Sequence, residues 1–323
     1  MQRSPPSAGW HTRLVPLIKM LTVLSSGCDF SEIVAQFKPD ELEINCDNIG
    51  QLETGEFIGS GLWRKAYKAT WNGRDVVVKR VSDYGLSQPN VMYRHVKEAA
   101  AIFLIHNDAN IVGLVGWCNL TIVLEYIPTN LDILLHGTRD LVSVKRTLEL
   151  ARDAARGLVQ VHNMPEGPLV HGDIKCEQFL LGDDGVLRLN DFNYVMYAGP
   201  RIVNGTVTSE KCPFHFPVAP KSRWHSPEEI NHLPLDEKID IYGLSIVMWA
   251  MKSRRRPYQA IDMDEAWEGI PKGLRPPVSE MNDYPQAMQD LIIRGWDHDP
   301  KKRPTAMEMA EEIDRILQQY KEE

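Results

Sequence analysis

His171-Gly172-Asp173-Ile174-Lys175-Cys176-Glu177-Gln178-Phe179-Leu180-Leu181 places a lysine two residues after an aspartate, just ahead of an apolar run. After a strand-like stretch from Val186 to Leu189 comes Asp191-Phe192-Asn193, a second acidic group about a hairpin away. A lone His or Asp at either place would more often be structural.

The chain around this stretch changes character partway along. From Glu53 to Glu125 it carries short β-branched runs, Asp75 to Lys79 and Thr121 to Glu125, separated by turn signals such as Trp71-Asn72-Gly73-Arg74. A small antiparallel sheet is expected there. One helical pattern interrupts it around Val91 to Ile105, where Val96, Ala99, Ile102 and Phe103 recur at helical spacing. After Pro128 the pattern is mainly helical, over Leu141 to His162, Lys238 to Lys252, Pro285 to Trp296 and Thr305 to Tyr320. The fold class is therefore α+β and bilobal, with a sheet-built N-lobe over 53–127 and a helical C-lobe over 128–323. Residues 1–52 read as an N-terminal arm, in part disordered. A cleft between two such lobes is the usual place for a small ligand.

Composition bounds the function. The 323 residues, 43% hydrophobic and 25% charged, suffice for one large domain with ample core. With 36 basic and 44 acidic residues the net charge is -8, which repels a phosphate backbone and argues against nucleic acid as a partner. The five cysteines (Cys28, Cys46, Cys118, Cys176 and Cys212) are odd in number and widely spaced, so neither a zinc site nor a disulfide framework is expected. A reducing compartment fits that reading.

After Arg13 an apolar run from Leu14 to Leu24, broken by Pro16 and Lys19, leads into Ser25, Ser26 and Gly27. It has the outline of a signal peptide, but it is short for a membrane span of about 20 residues, and a lysine inside it opposes insertion. The sequons at Asn119 and Asn204 add little, because such tripeptides arise by chance. A cytoplasmic protein without membrane attachment is expected, the alternative being a secretory or membrane-associated one through residues 14–24.

Ile58-Gly59-Ser60-Gly61-Leu62-Trp63-Arg64-Lys65-Ala66-Tyr67 resembles the glycine-rich loop of protein kinases, where backbone amides approach nucleotide phosphates. Val76-Val77-Val78-Lys79 is similar to the strand whose lysine holds the α and β phosphates, and Glu98 falls where its partner glutamate stands. The stretch from His171 to Leu181 resembles the catalytic loop, and Asp191-Phe192-Asn193 the magnesium-binding motif that follows it. Arg223-Trp224-His225-Ser226-Pro227-Glu228, Asp240-Ile241-Tyr242-Gly243 and Arg303 match architectural landmarks of the same family. The likeness runs from about Glu53 to Gln319 and is closest in tone to the tyrosine kinase-like Ser/Thr group.

That resemblance implies ATP and Mg2+ as cofactors and a protein substrate. Asp173 would accept the hydroxyl proton and Lys175 would stabilise the transferred phosphoryl. Asp191 and Gln178 would hold the metal. Ile58, Gly59, Gly61, Ala66, Val77, Lys79, Glu98 and Leu180 would surround the nucleotide, with adenine on the backbone of Glu125 and Ile127. Ala66 and Val77 exchange the usual valine and alanine, which keeps the pocket volume.

Four residues depart from the pattern: Arg64, Gly172, Gln178 and Asn193. Gln178 sets its amide carbonyl one methylene farther out than the usual asparagine, so slow turnover improved by Mn2+ is expected. Asn193 is expected to take the positive φ of the glycine it replaces. A nucleotide-binding pseudokinase and a small-molecule phosphotransferase remain open. The latter shares His-Gly-Asp, but Ser226-Pro227-Glu228 and Arg303 speak against it.

Overall fold

A computed structural model describes residues 34, 36–61, 63–88, 91–105, 108–137, 142–165, 167–203, 206–212, 214 and 221–321. The apolar run 14–24, Cys28 and the sequon asparagine Asn204 lie outside them.

The N-lobe grows from one tight turn. Asn72 and Gly73 both take positive φ, 49° and 78°, the geometry that lets a two-residue turn match the twist of its flanking strands. They join β2 (Arg64–Trp71) to β3 (Arg74–Val81), which pair in unbroken register from Arg64↔Val81 to Trp71↔Arg74. With β1 (Glu53–Ser60), β4 (Leu114–Cys118) and β5 (Thr121–Glu125) they form an antiparallel sheet of order β1-β2-β3-β5-β4. Strand alternation then sorts β3. Val76 and Val78 are buried in a small cluster with Trp71 and Val123, which leaves Val77 and Lys79 on the other face. On that face lies α1 (Val91–Ile105), which buries Val96, Ala99, Ile102 and Glu98.

The C-lobe is helical, as its periodicity predicts. Helix α2 (Val144–His162) starts at Ser143, whose hydroxyl accepts from the Arg146 N–H, and α3 (Lys238–Ser253) is buried along almost its whole length. Helix α4 (Gln286–Gly295) packs on α3. Helix α5 (Ala306–Gln319), opened by a Thr305–Glu308 capping box, lies along α2. A three-stranded sheet of β6 (Thr129–Asn130), β8 (Phe179–Leu181) and β9 (Leu187–Leu189) sits at the top of the lobe, and β7 (Leu169–Val170) leads into the loop beside it. One apolar core runs from Ile102 and Leu124 through Leu148 and Leu189 to Trp249.

Two expectations are corrected. Part of the arm belongs to the N-lobe: Phe37 packs edge-on against Phe103 and Trp117, and Ile44 is wholly buried. The Ile44 N–H donates to Val115 O at 3.0 Å, and Trp117 N–H donates to Ile44 O at 3.0 Å, so this segment forms a parallel bridge at Gly116. Any Cβ at Gly116 would collide with Ile44. The apolar residues here fit separate seats on β4 and α1, so they leave no periodic pattern to read.

Second, there is a disulfide. Cys46 and Cys118, 72 residues apart, are bonded with their Cα atoms 4.9 Å from each other. Cys212 is also disulfide-bonded, and Cys176 is free and buried. Spacing along the chain carried no sign of this, because the Ile44 bridge is what brings Cys46 to the end of β4.

Candidate active site

The loop after β7 is fixed from below before any reactive group appears. Asp240, in the first turn of α3, accepts the backbone N–H of His171 at 2.7 Å and of Gly172 at 2.9 Å, and lies 3.0 Å from His162 Nε2. Gly172 has φ 75°, a left-handed conformation that glycine takes at no steric cost. His171 is buried, with Nε2 2.9 Å from Asn190 O and its ring edge-on to Phe192 at 5.0 Å.

On this floor the charged residues make one continuous set. Lys175 Nζ donates to both carboxylate oxygens of Asp173, at 2.9 and 2.7 Å. Burial works against the Lys175 ammonium, but Asp173, Glu177 and Asp191 outweigh it and hold its pKa above the ordinary lysine value. The Gln178 amide donates to Asp173 and lies 3.4 Å from Asp191 Oδ2. Lys79 Nζ stands 3.4 Å from Asp191 Oδ1 and 3.5 Å from Glu98 Oε1. Burial raises the Asp191 pKa, yet Lys79, Arg64 and His171 together pull it below the usual carboxylate value. Burial, helped by Arg64, lowers that of Lys79.

Glu98, Lys79, Asp191, Gln178, Asp173 and Lys175 are thus brought together. Ala66 pairs with Lys79 across the strands and Val77 pairs with Lys68, so Ala66 and Val77 are diagonal neighbours on the Lys79 face. Gly59 pairs with Ala66, Ile58 is exposed beside it, and Gly61 N–H donates to Arg64 O at 2.9 Å to close the loop. Leu180 is half-buried on β8 against the main core. The Glu125 N–H is given to Gly113 O at 3.0 Å. Ile127 follows in the irregular stretch after β5.

Two residues behave differently from their expected parts. Asn193 does not carry the positive φ. Asp191 does, at 66°, while the Asn193 side-chain amide donates to the Asp191 carboxylate. Arg64, read from sequence only as a lost glycine, is 7% exposed and sets its guanidinium on the buried Glu98 carboxylate. Burial lowers its pKa to about 10, with Asp191 working in the opposite sense. The signal was a long cation in the one loop position that needs no side chain.

The helical turn Pro227–Ile230 closes the lower side. Arg303 donates to Glu228 Oε2 at 2.8 Å, both residues being buried. Glu229 accepts the Ser226 N–H at 2.7 Å, but burial prevails and pushes its carboxyl up to about 8. Burial pushes the neighbouring His225 down to about 4, so at neutral pH both are uncharged. An unfolded chain releases the Glu229 proton near its ordinary value, so stability falls as pH rises from about 4.5 to about 8. Glu229→Gln keeps the acceptor and removes the titration. Thermal melts should therefore show the variant gaining on the wild type at pH 8.5 and not at pH 4. Equal differences at both would mean that folding leaves the Glu229 carboxyl at its ordinary value.

The family model for protein tyrosine and serine/threonine kinases matches residues 52–313. Serine/threonine-protein kinase STY46 of Arabidopsis thaliana is 27% identical over 282 residues, covering 85% of this chain and 46% of that protein. Probable serine/threonine-protein kinase roco7 of Dictyostelium discoideum is 30% identical over 284 residues, 83% of this chain and 10% of that protein. Dual specificity protein kinase shkB of Dictyostelium discoideum is 26% identical over 272 residues, 81% and 39% respectively. The chain spans less than half the length of each of these relatives.

Proposed function

Since the chain belongs to the protein tyrosine and serine/threonine kinase family, we propose that it transfers the ATP γ-phosphoryl to Ser or Thr hydroxyls of protein substrates. The observation that carries this reading is the unbroken set of contacts from Glu98 through Lys79, Asp191 and Gln178 to Asp173 and Lys175. Phosphoryl transfer asks mainly for alignment and charge neutralisation. Asp173 orients the acceptor hydroxyl and takes its proton. Lys175, held beside it, faces the charge that develops on the phosphoryl, and Lys79 steadies the non-transferred phosphates against Glu98.

Among the described residues there is no cluster of three or more His, Cys, Asp or Glu side chains able to cage a metal. Magnesium bound mainly through substrate phosphates needs only one or two carboxylates, and Asp191 is a group of that kind; Gln178 turns its Nε2 toward Asp191, so its carbonyl would have to rotate inward to join it. Held by Asp191, the ion would supply positive charge that offsets the negative charge of the phosphates. The Gln178 Nε2 donates to Asp173 and lies 3.4 Å from Asp191 Oδ2, so the side chain is long enough to span both carboxylates.

Incubation with ATP labelled on the γ-phosphate, Mg2+ or Mn2+ and a generic protein acceptor, followed by phosphoamino-acid analysis, tests this. Labelled phosphoserine and phosphothreonine are expected. Label on phosphotyrosine alone, or only on sugars or aminoglycosides, would overturn the substrate class; nucleotide binding without transfer would leave a pseudokinase.

Activity is also expected to survive phosphatase treatment. One cation that organises a phosphorylated activation segment is missing at Gly172, and the Thr208 hydroxyl already donates to Arg201 O at 2.9 Å in the hairpin of β10 (Pro200–Val203) and β11 (Thr206–Lys211). Loss of turnover on dephosphorylation, restored by a phosphomimetic at Thr206, Thr208 or Ser209, would refute it.

A further inference from the structure

We infer that this domain is made in an oxidising, glycosylating lumen, where Cys46 and Cys118 close into a disulfide and Asn119 receives an N-linked oligosaccharide. The first support is the state of the cysteines. Cys46–Cys118 ties the Ile44 segment to the end of β4, Cys212 is bonded as well, and Cys176 is wholly buried. Among the described residues no exposed free thiol is left. A cytosolic chain keeps its thiols reduced, whereas disulfides that staple a fold persist where the surroundings are oxidising.

The second support is independent of the first. Asn119-Leu120-Thr121 is an acceptor tripeptide with no proline at its centre. It forms the turn between β4 and β5, immediately after Cys118, with Asn119 at φ 55°, a conformation asparagine tolerates. Asn119 is half-exposed, and its side-chain amide lies 3.4 Å from Cys118 Sγ, a weak contact that a modification displaces at little cost. Thr121 is buried in the finished fold, but the transfer takes place on the entering chain, before β5 is paired. Glu125 and the nucleotide cleft are at the opposite end of β5, so a glycan at Asn119 leaves the site open.

Both steps balance. Closing the bond removes two protons and two electrons from the two thiols and reduces a protein disulfide of the compartment. Glycosylation joins Asn119 Nδ2 to the anomeric carbon of a lipid-linked oligosaccharide, with lipid diphosphate leaving and one amide proton released. This assignment replaces the expectation of a cytoplasmic protein, which leaned on unpaired cysteines.

Peptide mapping of the protein isolated from its own cells tests the inference without any substitution. Cells are lysed in N-ethylmaleimide, and the protein is then reduced, alkylated with iodoacetamide and digested with and without peptide N-glycosidase in heavy-oxygen water. Iodoacetamide should label Cys46 and Cys118 only after reduction, and the glycosidase should turn Asn119 into heavy-labelled Asp. N-ethylmaleimide on Cys46 and Cys118, or an Asn119 peptide wholly unmodified before the glycosidase, would each overturn it.

Discussion

Asp173→Asn is expected to lower phosphoryl transfer by about 10²–10⁴-fold, the range that a positioned proton acceptor contributes. The substitution keeps the shape of the side chain and one acceptor oxygen, while its amide nitrogen can no longer accept from Lys175 or Gln178. It removes the charge that orients the acceptor hydroxyl. Because Asp173 sits on a loop pinned through His171 and Gly172 to Asp240, the backbone has no reason to move. Single-turnover rates at saturating ATP, beside a thermal melt, are the measurement. An undiminished rate would remove Asp173 from the mechanism.

Arg64→Gly restores the residue that the resemblance would put in the loop, and it is expected to harm the protein. Glu98 is wholly buried, and Arg64 and Lys79 are its cations. Taking away one partner of a buried ion pair costs about 3–5 kcal/mol. Lys79 remains at 3.5 Å, so a loss of about 3 kcal/mol is the expected stability change. Activity should fall with it, since Lys79 would be drawn toward Glu98 and away from the phosphates. Denaturant unfolding and kcat/KM for ATP would show both effects. A variant as stable as the wild type with a faster turnover would mean that Arg64 merely obstructs the loop.

Much of this architecture was legible in the chain. Asn72-Gly73 between β-branched runs announced the β2–β3 hairpin, and the spacing of Val96, Ala99 and Ile102 announced α1. The charged set was legible too, because Lys79, Glu98, Asp173, Lys175 and Asp191 each stand in a motif with fixed neighbours. What escaped depends on the third dimension. Arg64 is defined by a reach across the sheet to Glu98, and Cys46 by the seat of Ile44 beside Gly116. The role given to Asn193 failed because the left-handed turn falls at Asp191, two residues earlier, a shift that residue types alone do not specify.

The seat of Ile44 beside β4 also bears on where the folding unit starts. Family likeness begins at residue 52, and a fragment cut there would look complete by its motifs. It would lack Phe37, Leu42 and Ile44, uncovering the apolar faces of Trp117, Trp71 and Val123 that they cover, and it would leave Cys118 as an unmated thiol at the end of β4. Such a piece has every group needed for chemistry and a sticky, oxidisable edge. Poor solubility and intermolecular crosslinking of that fragment would therefore reflect the place of the cut.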